Sequence, residues 1–115
     1  MLGKYKLDQS QGAPGDKRLF ASVELVVSEG SGLVIDFDSI HGRYWRAGAT
    51  FGITYAWEKL PNNMRGMVVQ VNMIKGVVVD TTEMAVAFAS FRAMANAFGV
   101  EPKYPLIEFG RILWM

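Results

Sequence analysis

The sequence contains no cysteine, a single histidine and almost no excess of charge of either sign. Without cysteine it has no disulfide, no thiolate nucleophile and no thiolate-ligated metal, which suits a reducing compartment such as the cytoplasm. Twelve basic side chains stand against 11 acidic ones, and the formal net charge is +1. This balance excludes a histone-like basic protein and an acidic disordered chain.

Long apolar runs are also missing. No uncharged stretch approaches the roughly 20 residues of a membrane span, and the first ten residues carry Lys4, Lys6 and Asp8, unlike a signal peptide. The 115 residues, 50% of them hydrophobic, suffice for one domain with a buried core. We therefore expect one cytoplasmic domain over residues 1–115, with no membrane partner.

Side chains that could carry catalysis are few. His41 has no cysteine to activate, so a nucleophilic triad is not expected. Asp36 and Asp38 would lie on the same side of a strand, where they could chelate a divalent cation or act as an acid–base pair. No third ligand accompanies them, and a solvated strand end is the favoured interpretation. The segment Gly12–Arg18 lacks the spacing of a phosphate-binding loop. We predict that the protein is not an enzyme and has no cofactor. The alternative is a small metal-dependent enzyme that uses Asp36, Asp38 and His41.

Apolar alternation and turn residues predict the strands. Gln9–Asp16 is rich in Gly and Pro and is typical of a loop, after which the fold is expected to begin. Leu19–Val27 alternates as a strand with one core face does. The turn Glu29–Gly32 and the short run Leu33–Phe37 then predict a β-hairpin. Gly66–Ile74, apolar on both faces in its first half, indicates a central strand.

Two helices are predicted. In the first, Ala49, Ile53, Trp57 and Leu60 recur at spacings of four, four and three, and Pro61 ends the pattern. The second begins at a capping box, in which Asp80 and Glu83 satisfy the first-turn donors, and it ends at Gly99. Its apolar stripe, opposite Arg92 and Asn96, consists of Met84, Phe88, Phe91, Ala95 and Phe98.

Gly48 and Gly52 interrupt the first helical pattern, because each glycine costs a helix about 1 kcal/mol relative to alanine. Two interpretations remain open. Either the glycines allow the helix to pack closely on a sheet, or Gly48 lies before the helix begins.

The C-terminal run Leu106–Met115 predicts a last strand that is apolar on both faces. An uncovered strand of this kind is an aggregation hazard, so we expect a partner or the protein's own core to cover it. Together these elements predict an α+β fold. It has a small sheet of about four strands with two helices packed on one face, in the order β-β-α-β-α, with an extra strand at either end left open.

Several stretches resemble the fourth domain of translation elongation factor G, which has the ribosomal protein S5 domain 2-like fold. The most specific is Val79–Gly99, which is similar to that family's VDSSEMAF segment and the helix it opens, while Phe51–Gly76 resembles the preceding helix, loop and strand. The resemblance covers about residues 10 to 100 and leaves 101–115 as a C-terminal strand or tail. It is carried best by Val79, Asp80, Glu83, Met84, Ala85 and Phe88.

In elongation factor G this domain is an arm whose tip contacts tRNA and ribosomal RNA. The resemblance implies that the two tip loops correspond to Gly12–Arg18 and Lys75–Val79, and that Lys17, Arg18 and Lys75 meet phosphate. Here the second loop is shorter than in the family and lacks its histidine. No Walker A sequence is present, so the resemblance implies an arm that does not hydrolyse GTP.

Two hypotheses of function follow. The first is a non-catalytic protein that binds ribosomal RNA or the ribosome through the two tip loops. The second is a protein-interaction module, most simply a homodimer or larger homo-oligomer, that keeps only the fold. In the second hypothesis Phe109, Leu113 and Trp114 of the apolar tail form the partner interface.

Overall fold

The computed structural model describes residues 1–10, 18–37, 45–61, 66–76 and 81–100. These residues form an α+β fold with four strands and two helices, as predicted. The elements, in chain order, are β1 (Leu2–Ser10), β2 (Arg18–Glu29), β3 (Leu33–Phe37), α1 (Arg46–Lys59), β4 (Met67–Lys75) and α2 (Glu83–Phe98). The predicted C-terminal strand lies outside the described residues.

The strands form one mixed sheet in the order β1-β2-β4-β3. β2 is antiparallel to both β1 and β4, whereas β3 is parallel to β4. Helix α2 lies against β1 and β2, and α1 packs on α2 and against β3. Alternate residues of β1, β2 and β4 point to these helices and are buried, among them Leu7, Val23, Leu25, Met67 and Val69. The inward residues of β3 are half-buried. Two helices on one face of a four-stranded sheet were expected, and the structure confirms this arrangement.

The predicted hairpin between β2 and β3 is wrong, because β4 lies between these strands. The turn after β2 holds the start of β4: the Gly30 N–H donates to the Gly66 carbonyl at 3.2 Å, and the Met67 N–H donates to the Gly32 carbonyl at 2.7 Å. A Cβ atom on Gly66 would lie 2.5 Å from the backbone of Gly30 and Gly32. Glycine therefore lets β4 enter the turn, and β4 takes the central position its apolar sequence predicts.

The fold begins at β1 rather than after residue 16, so the predicted loop starts too early and the extra N-terminal strand is confirmed. β1 and β2 form the true hairpin, with Leu2 opposite Val26 at one end and Ser10 opposite Arg18 at the other. Few apolar residues mark β1 because its outward side chains after Leu2 are polar, which is normal for an edge strand with one face in water.

Gly48 and Gly52 lie inside α1 and are buried. A Cβ atom on Gly48 would collide with the carbonyl oxygen of Glu83, and one on Gly52 with that of Ala87. The close packing predicted from these glycines therefore exists, but its partner is α2 and not the sheet. From the first contact to the second, the chain advances by four residues in both helices, so the two helices run parallel.

Helix α2 begins at Glu83, and its cap is Thr82, whose hydroxyl accepts a hydrogen bond from the Ala85 N–H at 3.0 Å. The predicted capping box is wrong, because Glu83 is the first residue of the helix and not the third. Its other member, Asp80, lies outside the described residues. The Glu83 carboxylate instead accepts the Gly48 N–H at 2.5 Å, so it satisfies a first-turn donor of α1. Gly99, at φ 71°, ends α2 as predicted.

Burial on α2 extends well beyond the predicted apolar stripe, because this helix lies between the sheet and α1. Small alanines occupy most of the added buried positions. On the side predicted to be polar, Asn96 is exposed and donates to the Lys4 carbonyl at 2.5 Å. Arg92 is half-buried, and its guanidinium lies 5.1 Å from the centre of the Tyr5 ring.

Gly52→Ala is expected to lower the free energy of unfolding by about 1–3 kcal/mol, because the new methyl group collides with the backbone of α2. Urea denaturation measures this change. Thr50→Ala, at an exposed position of the same helix, is the control and is expected to raise stability by a few tenths of a kcal/mol. A Gly52→Ala variant as stable as the wild type would contradict the close helix contact.

Candidate nucleic-acid interface

Both helices begin at the same end of the sheet, which we call the tip. β1 ends here and β2 begins here, since Ser10 pairs with Arg18. The parallel strands β3 and β4 also end here, and α1 and α2 start from their caps Trp45 and Thr82. The residues that flank segments 11–17, 38–44 and 77–80 therefore all lie at the tip.

A row of polar side chains crosses the outer face of the sheet near the tip. Lys6 of β1 pairs with Ser22 of β2, which in turn pairs with Lys75 of β4. Both lysines are exposed, and Ser22 is half-buried between them. Adjacent strands lie about 4.8 Å apart, so the lysine Cα atoms are about 10 Å apart. This row places one cation on each side of a hydroxyl group, an arrangement that suits phosphate oxygens.

The next row along the sheet has mixed charge. Lys4 lies opposite Glu24, and Glu24 lies opposite Met73. The two rows line a shallow groove of about 240 Å³, to which Tyr5 also contributes. Because Glu24 offsets the charge of Lys4, the positive charge of these two rows is concentrated in the row Lys6–Ser22–Lys75. One row nearer the tip, the exposed Asp8 lies opposite Phe20.

Packing at the tip holds both ends of this row. The Lys6 ammonium lies 5.7 Å from the centre of the Phe20 ring. The buried Thr81 hydroxyl donates to the Phe20 carbonyl at 2.7 Å, which joins the start of β2 to the segment before α2. A Cβ atom on Gly76 would lie 2.6 Å from the Trp45 indole and 2.8 Å from Thr81, so this close packing fixes the backbone next to Lys75.

Of the three basic residues predicted to meet phosphate, two belong to described strands. Lys75 is the last residue of β4 and is exposed. Arg18 is the first residue of β2, and it lies four residues, about 13 Å, before the Ser22 that pairs with Lys75. Lys17 lies outside the described residues. The predicted interface residues Phe109, Leu113 and Trp114 also lie outside them.

Lys6 is missing from the sequence-based prediction, although its strand partner Ser22 places it in the same row as Lys75. The available signal was the alternation of Lys4, Lys6 and Asp8, which has the period of a strand with one polar face. Only the structure shows the register of β1 against β2.

Of the candidate metal ligands, Asp36 is exposed on β3, opposite Gln70. Asp38 and His41 lie outside the described residues. Within the described ranges, no group of three or more His, Asp or Glu side chains could hold a metal ion. Neither helix in this part of the chain has both the length and the apolar character required to cross a membrane.

No family model matches the sequence, and no curated protein matches it significantly. The fold is similar to that of ttk003000868 from Thermus thermophilus, a crystal structure, with a TM-score of 0.66 and 13% sequence identity. The match covers 85% of this chain and 16% of that chain. This chain thus matches a small part of a much longer protein, and the likeness shows the fold alone.

Thr81→Val is expected to loosen the tip, because it leaves the buried Phe20 carbonyl without its donor. The free energy of unfolding is expected to fall by about 1–3 kcal/mol, measured by urea denaturation together with faster amide hydrogen exchange at the start of β2. Thr50→Val makes the same chemical change at an exposed position and is expected to be nearly neutral. Equal effects of the two substitutions would contradict a stabilising role for the Thr81 hydroxyl.

Proposed function

We propose that this chain is a non-catalytic RNA-binding protein that uses the tip to contact phosphate, with ribosomal RNA or the ribosome as its target. One observation carries the proposal. The row Lys6–Ser22–Lys75 crosses three strands at the same end as Arg18. Sequence-independent RNA affinity comes mainly from such contacts between basic side chains and phosphate.

The resemblance to the fourth domain of elongation factor G supports the same surface. In that family the arm tip contacts RNA through the loop before the first core strand and the loop before the second helix. Here the loop before the first core strand ends at Arg18, and the loop before the second helix begins at Lys75. Both residues lie at the tip. The order β-β-α-β-α, preceded by β1, also agrees with the fold that the resemblance implies.

Local charge explains how a chain with a net charge of only +1 would attract RNA. On the outer face, Lys6 and Lys75 flank an uncharged serine, while Glu24 lies one row farther from the tip and Asp8 lies one row nearer to it. An uneven distribution of this kind steers a polyanion to one end of a nearly neutral protein.

Lys75→Glu is expected to weaken the binding of a short single-stranded RNA and to lower the slope of log K against log salt by about 0.7 for each phosphate that is no longer neutralised. Fluorescence anisotropy at several salt concentrations measures both quantities. Lys59→Glu is the matched control, because Lys59 is an exposed residue at the far end of α1 and the change in charge is the same.

The triple replacement of Lys17, Arg18 and Lys75 by Glu is expected to abolish RNA binding and to leave the oligomeric state unchanged. Lys6→Gln is expected to weaken binding by removing one further cation from the row. RNA affinity that is equal in the wild type, the triple variant and the Lys59→Glu control would exclude the tip as the binding surface.

A second candidate function, self-association, is favoured by an apolar stripe on the outer face at the end opposite the tip. Leu2 pairs with Val26, and Val34 pairs with Val68. Val26 and Val68 lie diagonally across β2 and β4, so the stripe crosses all four strands. Leu2 is 56% exposed and Val34 is 48% exposed, and exposed apolar surface of this kind is typical of protein interfaces.

Val34→Glu is expected to dissociate a homo-oligomer if this stripe forms its interface, since a charge would then be buried without a partner. Light scattering gives the mass in solution. Val34 lies far from Lys75 on the outer face, so the substitution is expected to leave RNA affinity unchanged. A wild-type chain that is monomeric throughout would exclude the stripe as a homo-oligomer interface.

A further inference from the structure

The outward face of α1 forms a groove of about 560 Å³, which is larger than the groove of about 240 Å³ on the outer face of the sheet. Its lining is mainly apolar and includes Ala47, Phe51 and Tyr55. Phe51 is 48% exposed, and its ring stacks on that of Tyr55 with 6.2 Å between ring centres. Tyr55 in turn contacts Phe91 of α2 edge-on, at 5.4 Å. Through Tyr55 the groove is thus in contact with the core.

The chain continues beyond α2 with a segment that needs apolar cover. Val100 is half-buried against the core, and its N–H donates to the Ala95 carbonyl at 3.0 Å. Fifteen residues follow, and Pro102 and Pro105 disfavour continuation of the helix. Their large apolar side chains, which occur at both odd and even positions, are Leu106, Ile107, Phe109, Ile112, Leu113 and Trp114.

The parallel course of the helices places the start of this segment beside the groove. Because Gly48 meets Glu83 and Gly52 meets Ala87, the C-terminal ends of α1 and α2 lie side by side. A chain that leaves Val100 therefore reaches the outward face of α1 without leaving the helix layer. To reach the outer face of the sheet it would have to pass around the end or the edge of the sheet.

Length allows a course back along α1. The helix has 14 residues and is about 21 Å long, whereas ten extended residues span about 33 Å. About six of the residues 106–115, in extended form, therefore suffice to run along the whole outward face of α1.

We propose that residues 106–115 dock in cis on the outward face of α1 and cover Phe51 and Tyr55. The occupant of this groove is then the protein's own C-terminal segment and not a second copy. This inference is independent of RNA binding, since the groove lies on the opposite side of the molecule from the row Lys6–Ser22–Lys75. It also removes the aggregation hazard that the apolar tail presents.

Nuclear Overhauser effects in the full-length wild-type chain test the proposal directly. Contacts are expected between the ring protons of Phe51 and Tyr55 and the methyl groups of Leu106, Ile107, Ile112 or Leu113. They are expected within one molecule and absent from an isotope-filtered spectrum of mixed labelled and unlabelled chains. Contacts only between molecules, contacts of the tail with Val34 instead, or no contacts with α1 would each overturn the proposal.

A pair of substitutions gives an independent readout. Phe51→Asp is expected to speed amide hydrogen exchange in residues 106–115 by at least about tenfold, with the buried strands still protected. Val34→Asp is the matched control, because Val34 has the same exposed fraction, 48%, on the outer face of the sheet. Equal exchange in the tail of both variants would overturn the docking site.

Discussion

The contact between the backbones of α1 and α2 is the constraint on which the rest of the structure depends. Gly48 and Gly52 bring the two helices together so closely that a methyl group at either position would collide with a carbonyl oxygen of α2. At the start of this contact, the Glu83 carboxylate accepts the Gly48 N–H at 2.5 Å. One side chain at the beginning of α2 therefore also caps α1, where negative charge is favoured by the helix dipole. The contact sets the helices parallel and gives them a common start at the tip.

Both helices lie on one face of the sheet, and no other described element packs on its outer face. The alternation of side chains in each strand determines what this face presents. Near the tip it presents Lys6 and Lys75 on either side of Ser22, and at the other end it presents the apolar stripe that includes Leu2 and Val34. A single sheet face thus presents two lysines and Asp8 near the tip and an apolar stripe at the other end. The two proposed functions use different ends of this face and can be separated by single substitutions.

Local patterns predict the elements well and their partners poorly. The αL stop at Gly99 and the central character of β4 depend on short stretches of sequence, and both are confirmed. The hairpin prediction fails because strand pairing is decided by a distant segment: β4 enters the turn through Gly66. The predicted capping box is wrong for a similar reason, since the Glu83 carboxylate accepts a hydrogen bond from the other helix. In the candidate site, resemblance indicates Lys75, whereas Lys6 joins it only through a register that no local pattern specifies.

The proposed RNA contact involves the row Lys6–Ser22–Lys75 on the outer face of the sheet. A titration of the isotope-labelled chain with a short single-stranded RNA, followed by amide chemical shifts, tests this contact. Shifts are expected to cluster at Lys6, Ser22 and Lys75, to shrink as salt is raised, and to leave Val34 and Val68 unchanged. Shifts confined to the apolar stripe, or no shifts at low salt, would contradict the proposed contact.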